Sequence, residues 1–482
     1  MSPQTVSEPL CIWNQVAPRV YTSIVLCFSL PKPTSEEALS THLEGSLVRL
    51  SLAEPLFASR VAPSPHNPDK LTLLRDDGAA IAYSVINANI SGIDYEAMKK
   101  HDFPEEVFIQ PKFDLPGDPY TAKEPLPVVR VHAYFVSNGL FLRLCFHHSL
   151  FDGKSKDKFI EMLAAYTRSD PARNCIQSDT LHQNFGIPNS YGPNGETLTR
   201  LYANCSEYAA LSSPIGPSQP VLGTAGTSIQ EINKTARIFA FKKERIDELV
   251  HLLKSVDIEH RPALSTYSCL CALAFAYILK ARDPETYMPE SENETNPEPK
   301  FFHAINWKSN AFKDLPDDYI GNTVLQVSTK FSKSPLNHIT KASSTIPWKI
   351  VAAIAHDISG SLKLTEDHVK QRLALFAAAQ DVRHIGVDLD PRVKHNVWCV
   401  SWRHQVANHK WNLLGEDAVK PDAVRRTIPS PSLSHILFMP IKEEAHRQEL
   451  LISLPEDSMK RLRESELMNW CHVIEFPATE AN

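Results

Sequence analysis

The sequence has no apolar run of membrane length: its longest, Ile24 to Leu30 and Cys269 to Leu279, fall well short of the roughly 20 residues a bilayer requires. It has no block of one charge either. With 50 Lys/Arg scattered against 56 Asp/Glu and a formal net charge of -6, it lacks the basic footprint that follows a phosphate backbone, so neither nucleic acid nor membrane is an expected partner. The opening residues, MSPQTVSEPLCIWNQ, carry neither the charged start nor the apolar stretch of a secretory leader, and the cytoplasm is the expected compartment. The nine cysteines include no C-x-x-C pair and sit mostly among apolar neighbours, as in LRLCF around Cys145. They read as buried reduced thiols, with no metal site expected. Internal repeats are also missing.

What is present is an ordinary globular composition, 43% hydrophobic and 22% charged, on 482 residues, more than a single core usually fills. Two halves are therefore expected. Residues 183–236 are rich in Ser, Pro, Gly, Asn and Thr and read as a crossover between an N-terminal half, 1–182, and a C-terminal half, 237–482. A second polar tract, 283–300, reads as a surface loop after a helix over 265–282. In the first half, Thr34 stands three residues before Glu37 as a capping box for an amphipathic helix. The stretch from Asp69 to Ile90 alternates about Asp77-Gly78 and predicts a hairpin. In the second half, NTVLQVSTKF and HNVWCVSW read as strands, SMKRLRESELMNWC as a terminal helix, and the run from Pro347 to Gln380 as one long helix or two shorter ones. Helices mixed with strands in both halves predict an α/β fold.

One short stretch carries chemistry. FLRLCFHHSLFDG, residues 141–153, ends an apolar strand with His147 and His148, then turns through Asp152 and Gly153. An H-H-x-x-x-D-G match arises by composition alone in roughly one such chain in a thousand. A metal pair would want a third ligand at a recognisable spacing, and a nucleophilic triad would want a Ser or Cys in an elbow such as G-x-S-x-G, which is absent. The residues then leave two readings: both histidines are satisfied core side chains, or His148 is a general base at the edge of a cavity. On the second, Asp152 fixes the turn that presents the ring, and Gly153 lets the backbone bend and a substrate approach. Activity is then expected to fall as the imidazole protonates, within the usual histidine range.

H-x-x-x-D-G after an apolar strand resembles the active-site motif of the coenzyme A-dependent BAHD acyltransferases, in particular the fungal branch that includes trichothecene 3-O-acetyltransferases. The resemblance continues, in family order, through IWNQVAPRVYTSIVLCFSLP near the start, LSTYSCLCALAFAYILKAR (264–282), INWKSNAFKDLPDDYIGNTV (305–324), SWR (401–403) and KPDAVRR (420–426). It implies two chloramphenicol acetyltransferase-like domains, mixed sheets flanked by helices, with the active-site channel between them. It also implies acyl transfer, acetyl by analogy, from acyl-CoA as co-substrate to a hydroxyl, or less readily an amine, of a small secondary metabolite, with no permanently bound cofactor and a monomeric chain. His148 would be the base and Asp152 a structural residue. Ser265, Thr266 and Ser401 fall at coenzyme A-binding positions, and Gly153 and Asn322 on the substrate side. The family pairs the aspartate with an Arg where this chain has Lys308, which predicts an Asp152–Lys308 ion pair.

The chain departs from the family pattern at the C-terminal block. Aligned on Lys420-Pro421, Gly415 to Val419 replace the family's Asp-Phe-Gly-x-Gly, and Asn14 stands where many relatives carry Asp. The lost motif opens the question of what stabilises the oxyanion, with Trp411 or an amide near Gly153 as candidates. Two alternatives from other classes are a stand-alone condensation-like domain fed by a carrier-protein thioester and a degenerate relative that only binds a ligand.

Overall fold

The computed structural model describes residues 5–30, 35–86, 94–109, 125–170, 198–212, 214, 232–256, 262–284, 298–311, 319–341, 345–390, 392–403, 406–427 and 433–477. Two mixed sheets organise them. The first has five strands in the order Ala423–Arg426, Tyr21–Ser29, Gly139–His147, Val129–Val136, Ala82–Val85, antiparallel except for the last pair. The second has seven, in the order Val324–Lys330, Lys300–Asn306, Val397–Ser401, His435–Phe438, Arg447–Pro455, Lys234–Lys242, His472–Ile474, with parallel pairing on both sides of Val397–Ser401. Helices cover both, as the α/β reading expects.

The motif strand Gly139–His147 is buried along its whole length, which is why its sequence runs apolar without alternating. One side of it packs with the helix Glu36–Ala53 and the motif helix Gly153–Thr167. Along Glu36–Ala53 the residues Leu39, Leu43, Leu47 and Leu50 recur at helical intervals and are buried. Its N-cap is Ser35, whose side chain accepts from the Ala38 amide; Thr34 lies outside the described residues.

Several sequence-based expectations shift. The strands on either side of Asp77-Gly78 both form, with Gly78 at φ 74°, but they do not pair as a hairpin. Leu71–Asp76 already has both edges filled, by Thr5–Pro9 and Arg60–Pro63 in a small separate sheet, so Ala82–Val85 runs on to the edge of the first sheet. The run from Pro347 is two helices, Trp348–Ser361 and Glu366–Ala378, because Thr365 caps the second. The terminal helix stops at Arg463, and a short 3-10 turn, Glu466–Asn469, follows. Within 183–236 the described part includes a helix, Leu198–Asn204, and a strand, Tyr208–Ala210, with Leu201 and Cys205 buried against Val369, Leu373 and Phe376. Most of the remainder of that tract, and most of 283–300, lies outside the described residues.

The chain also crosses back: Ala423–Arg426, from the C-terminal part, forms the edge of the first sheet against Tyr21–Ser29. Asp422 fastens it. Its Oδ2 accepts from the Ser29 amide at 3.0 Å, Ser29 Oγ at 2.6 Å and Tyr95 Oη at 2.8 Å, and Lys99 Nζ lies 3.0 Å from Oδ1. Tyr95 is fully buried, so losing this acceptor strands its hydroxyl. Asp422→Ala is expected to destabilise the protein by about 1–3 kcal/mol, read as a lower urea midpoint; an unchanged midpoint would show that the strand is held by its backbone pairing alone.

Candidate active site

Where the motif strand ends, the chain reverses at once: the Leu150 and Phe151 amides close on the His147 carbonyl at 3.0 and 3.2 Å. Asp152 then opens the motif helix as its N-cap, Oδ1 accepting from the Ser155 amide at 2.9 Å. Asn, Asp and Ser favour this place because their side chains satisfy an amide that the first helical turn leaves orphaned. Gly153 is simply the first helical residue; it is not among the positive-φ glycines, so the bend expected of it falls on the turn before.

The other oxygen of Asp152 reaches across to the second half. Oδ2 accepts from Thr323 Oγ1 at 2.7 Å, the Thr323 amide at 3.1 Å and Asn306 Nδ2 at 3.3 Å. These neutral donors take the place expected for Lys308. The predicted ion pair is not formed: Lys308 instead begins a short helix and gives its backbone N–H to Asn306 Oδ1 at 3.0 Å, which helps aim Asn306 at the carboxylate. A second staple lies beside it, where Ser155 Oγ donates to the Gly321 carbonyl at 2.9 Å and accepts from its amide at 3.0 Å. Gly321 has φ +156°, and a Cβ there would stand 2.4 Å from the Tyr319 hydroxyl oxygen, so the Tyr-Ile-Gly-Asn sequence needs its glycine.

His148 sits at the junction these bonds create. Its amide donates to the Val20 carbonyl at 2.8 Å, and its carbonyl accepts from Asn322 Nδ2, also at 2.8 Å. Asn322 is in turn held by Asn14, whose Oδ1 accepts from the Asn322 amide at 2.9 Å and from Nδ2 at 3.3 Å. Asn322 thus acts on the backbone of His148. The ring is partly exposed, with Nδ1 buried and unbonded, which leaves Nε2 as the nitrogen open to the seam between the halves. Burial pushes its pKa down to about 4, the Lys156 ammonium pushes the same way, and the residue's own backbone, Asp152 and Asn322 oppose them. His147 faces away: it is 2% exposed, packs edge-on against Tyr21 at 5.4 Å, and is pushed to about 3, by burial first.

The other expected residues are spread along the second half. Ser265 is the exposed N-cap of Thr266–Arg282, bonded to Ser268, and Thr266 is that helix's first residue. Ser401 closes the strand Val397–Ser401 and accepts from the Arg403 amide at 3.3 Å. Tyr267 ties the two segments, its hydroxyl 3.3 Å from Cys399 Sγ and 3.0 Å from His303 Nδ1. Cys271, His303 and Cys399 form a buried group, their ligand-type atoms within 4.8 Å of one another, drawn from three elements and so invisible to a spacing rule. Trp411 is fully buried against Phe28, 5.5 Å between centroids, and fills the core.

Sequence reasoning missed Lys156. It shares the buried face of the motif helix with Phe159, Ile160 and Leu163, at i+3, i+4 and i+7, a spacing that does place it inward. Thr323 and Asn306 were also missed, since only the fold brings them to Asp152. Asp152→Ala is expected to lower stability by about 2 kcal/mol or more by stranding several buried donors, read as a lower urea midpoint; an unchanged midpoint would show that those donors find other acceptors.

The family model described as Transferase family matches residues 2–467. Trichothecene 3-O-acetyltransferase TRI101 of Fusarium sporotrichioides is 22% identical over 502 aligned residues, covering 96% of each chain. The O-acetyltransferase astG of Aspergillus oryzae is 23% identical over 370 residues, covering 69% of this chain and 72% of that one. The crystal structure of F. sporotrichioides TRI101 complexed with coenzyme A and T-2 matches with a TM-score of 0.74 at 18% identity, covering 98% of this chain and 100% of that one, so the two share a fold. With the match running from the first described strand, through the His148 junction and the Asp152 bonds, to the last helices, the chain belongs to the Transferase family.

Proposed function

We propose that the protein is an acyl-CoA-dependent O-acyltransferase that acetylates a hydroxyl of a small secondary metabolite, with His148 as the general base. The observation that carries this is the His148 junction: a neutral imidazole at the end of a rigid strand, one nitrogen buried and the other open at the seam, with the nearest carboxylate fully engaged elsewhere. Such a group can accept a proton but has no acid to relay it to. His148 Nε2 takes the acceptor's hydroxyl proton while the oxygen attacks the thioester carbonyl. Collapse of the tetrahedral intermediate breaks the C–S bond, and the imidazolium returns the proton to the departing thiolate, so ester and free coenzyme A leave without a covalent acyl-enzyme.

The named activities of the relatives, O-acetylation by astG and trichothecene 3-O-acetylation by TRI101, support the same reaction class here. The coenzyme A and T-2 bound to TRI101 support an acyl-CoA entering along the seam and meeting the acceptor at His148. In this reading Ser265, Thr266 and Ser401 line the coenzyme A side, and the halves divide near residues 183–236. The seam between the halves is the active-site channel. No described helix is long and apolar enough to cross a membrane; a monomer in the cytoplasm is the proposed working form.

His148→Ala is expected to lower the rate of thiol release from acetyl-CoA by about 10²–10⁴-fold. The pH profile differs from that of an ordinary histidine. The base works only when neutral, and its pKa is depressed to about 4, so the rate should stay level from pH 8 down to about 5 and be half lost near 4. A half-loss between pH 6 and 7, or an unaltered rate in His148→Ala, would reject His148 as the base.

A further inference from the structure

Lys156 lies beside His148 and Arg426 lies beside Lys156, neither in an ion pair with a described carboxylate. Lys156 is 3% exposed; its ammonium donates to Thr22 Oγ1 at 3.1 Å and stands 5.3 Å from the centre of the Trp402 ring. Arg426, partly buried at the end of the strand that closes the first sheet, has no hydrogen bond or ion pair to any described residue, its titratable neighbours including Glu105 and Lys156.

The sheet register sets them in a row. The His148 amide is bonded to Val20, Lys156 to Thr22, and Arg426 pairs with Ile24. Thr22 and Ile24 share one face of the strand Tyr21–Ser29, so Lys156 and Arg426 meet it at points about 7 Å apart, with the His148 backbone bonded just before its start. Ile24 and Val424 on that face belong to the core cluster that also holds Trp402, Ile238 and Leu437, whereas Arg425, one residue away, turns to the other face and bonds Phe103 and Glu449. Lys156 and Arg426 therefore face the seam between the sheets.

The neighbouring carboxylates offset them only in part. Asp152 keeps its charge and favours the Lys156 ammonium, but its oxygens accept from Ser155, Thr323 and Asn306 rather than from Lys156. Burial pushes Glu105 up to about 8, which leaves it mainly protonated at neutral pH. His435, buried on the second sheet, is held neutral by burial and by Arg426. Burial lowers Lys156 to about 8 and Arg426 to about 10, so both stay charged at pH 7. An interior cation without a closed partner costs folding free energy, a cost that a bound anion would offset.

We propose that Lys156 and Arg426 form an anion subsite on the acceptor side of the seam and that the acceptor is a hydroxy acid, its carboxylate held by the two cations while a hydroxyl several bonds away meets His148. The inference rests on the acyl-transfer reading above, and its test separates the two. A carboxylate suits the pair because guanidinium offers a planar fork and the ammonium keeps free donors beyond Thr22. The spacing disfavours α-hydroxy acids, whose hydroxyl lies too close to the carboxylate to span a step of about 7 Å.

The first readout uses bromide as the anion probe, located by anomalous scattering in crystals of the parent and of Lys156→Met/Arg426→Gln. Bromide between the two side chains in the parent, and none in the variant, is expected. No bromide there in the parent overturns the subsite whatever the turnover. The second readout compares hydroxy acids with their methyl esters, for example 12-hydroxydodecanoate and 4-hydroxyphenylacetate, by thiol release from acetyl-CoA and product mass. The acids should exceed the esters at least tenfold in kcat/KM, and each single variant should bring that ratio close to one. Esters that match the acids, or variants that slow both alike with the ratio intact, overturn the inference: the cations then serve the reaction's own oxyanion, and any bromide is an adventitious ion only. Bromide bound as expected with no acyl transfer to any acceptor supports the subsite and sinks the acyl-transfer reading instead.

Discussion

Four donors from three separate stretches of chain converge on the carboxylate of Asp152: the Ser155 amide, the Thr323 amide and hydroxyl, and the Asn306 amide group. A buried carboxylate is costly to desolvate, and it is tolerable here because both oxygens are fully bonded. One oxygen starts the motif helix and the other draws in the second half, so the same side chain fixes the turn after His148 and the wall opposite it. The Ser155–Gly321 and Asn14–Asn322–His148 bonds lie alongside and depend on that alignment. On the proposed reading, the placement of His148 is thus a property of this junction.

That junction also sets the electrostatics of the base. Burial and the Lys156 ammonium both favour the neutral ring, and Asp152, turned away with its charge shared among donors, opposes them only in part. A base with so low a pKa is a weaker proton acceptor than an ordinary imidazole, but it is fully available at neutral pH. Trp411, the side chain that the sequence offered in place of the missing Asp-Phe-Gly-x-Gly, is in the core instead.

Much of the site was legible in the sequence because it is local. The apolar run, the paired histidines and the acid-glycine turn all lie within thirteen residues, and strand, turn and capped helix follow from their order. What was misread depends on contacts across the chain. Lys308 aligned with a family arginine, yet only the fold shows that its backbone rather than its charge supports Asn306. The residues about Gly78 have the signature of a hairpin, but strand partners are decided by which edges are free, and both edges of Leu71–Asp76 are taken. Arg426 ends the KPDAVRR stretch, and only its register against Ile24 shows which face of the sheet it takes.

The proposed base role requires His148 to be a neutral imidazole held at a buried junction. Nitrogen-15 NMR of the ring, followed from pH 8 to 3.5 in protein labelled at histidine and assigned with His148→Gln, reads that state directly. The structure predicts that Nε2 stays unprotonated until the titration midpoint near pH 4. A midpoint close to the ordinary 6.5 of free histidine would mean that water reaches the ring and that the junction does not set the state of the base.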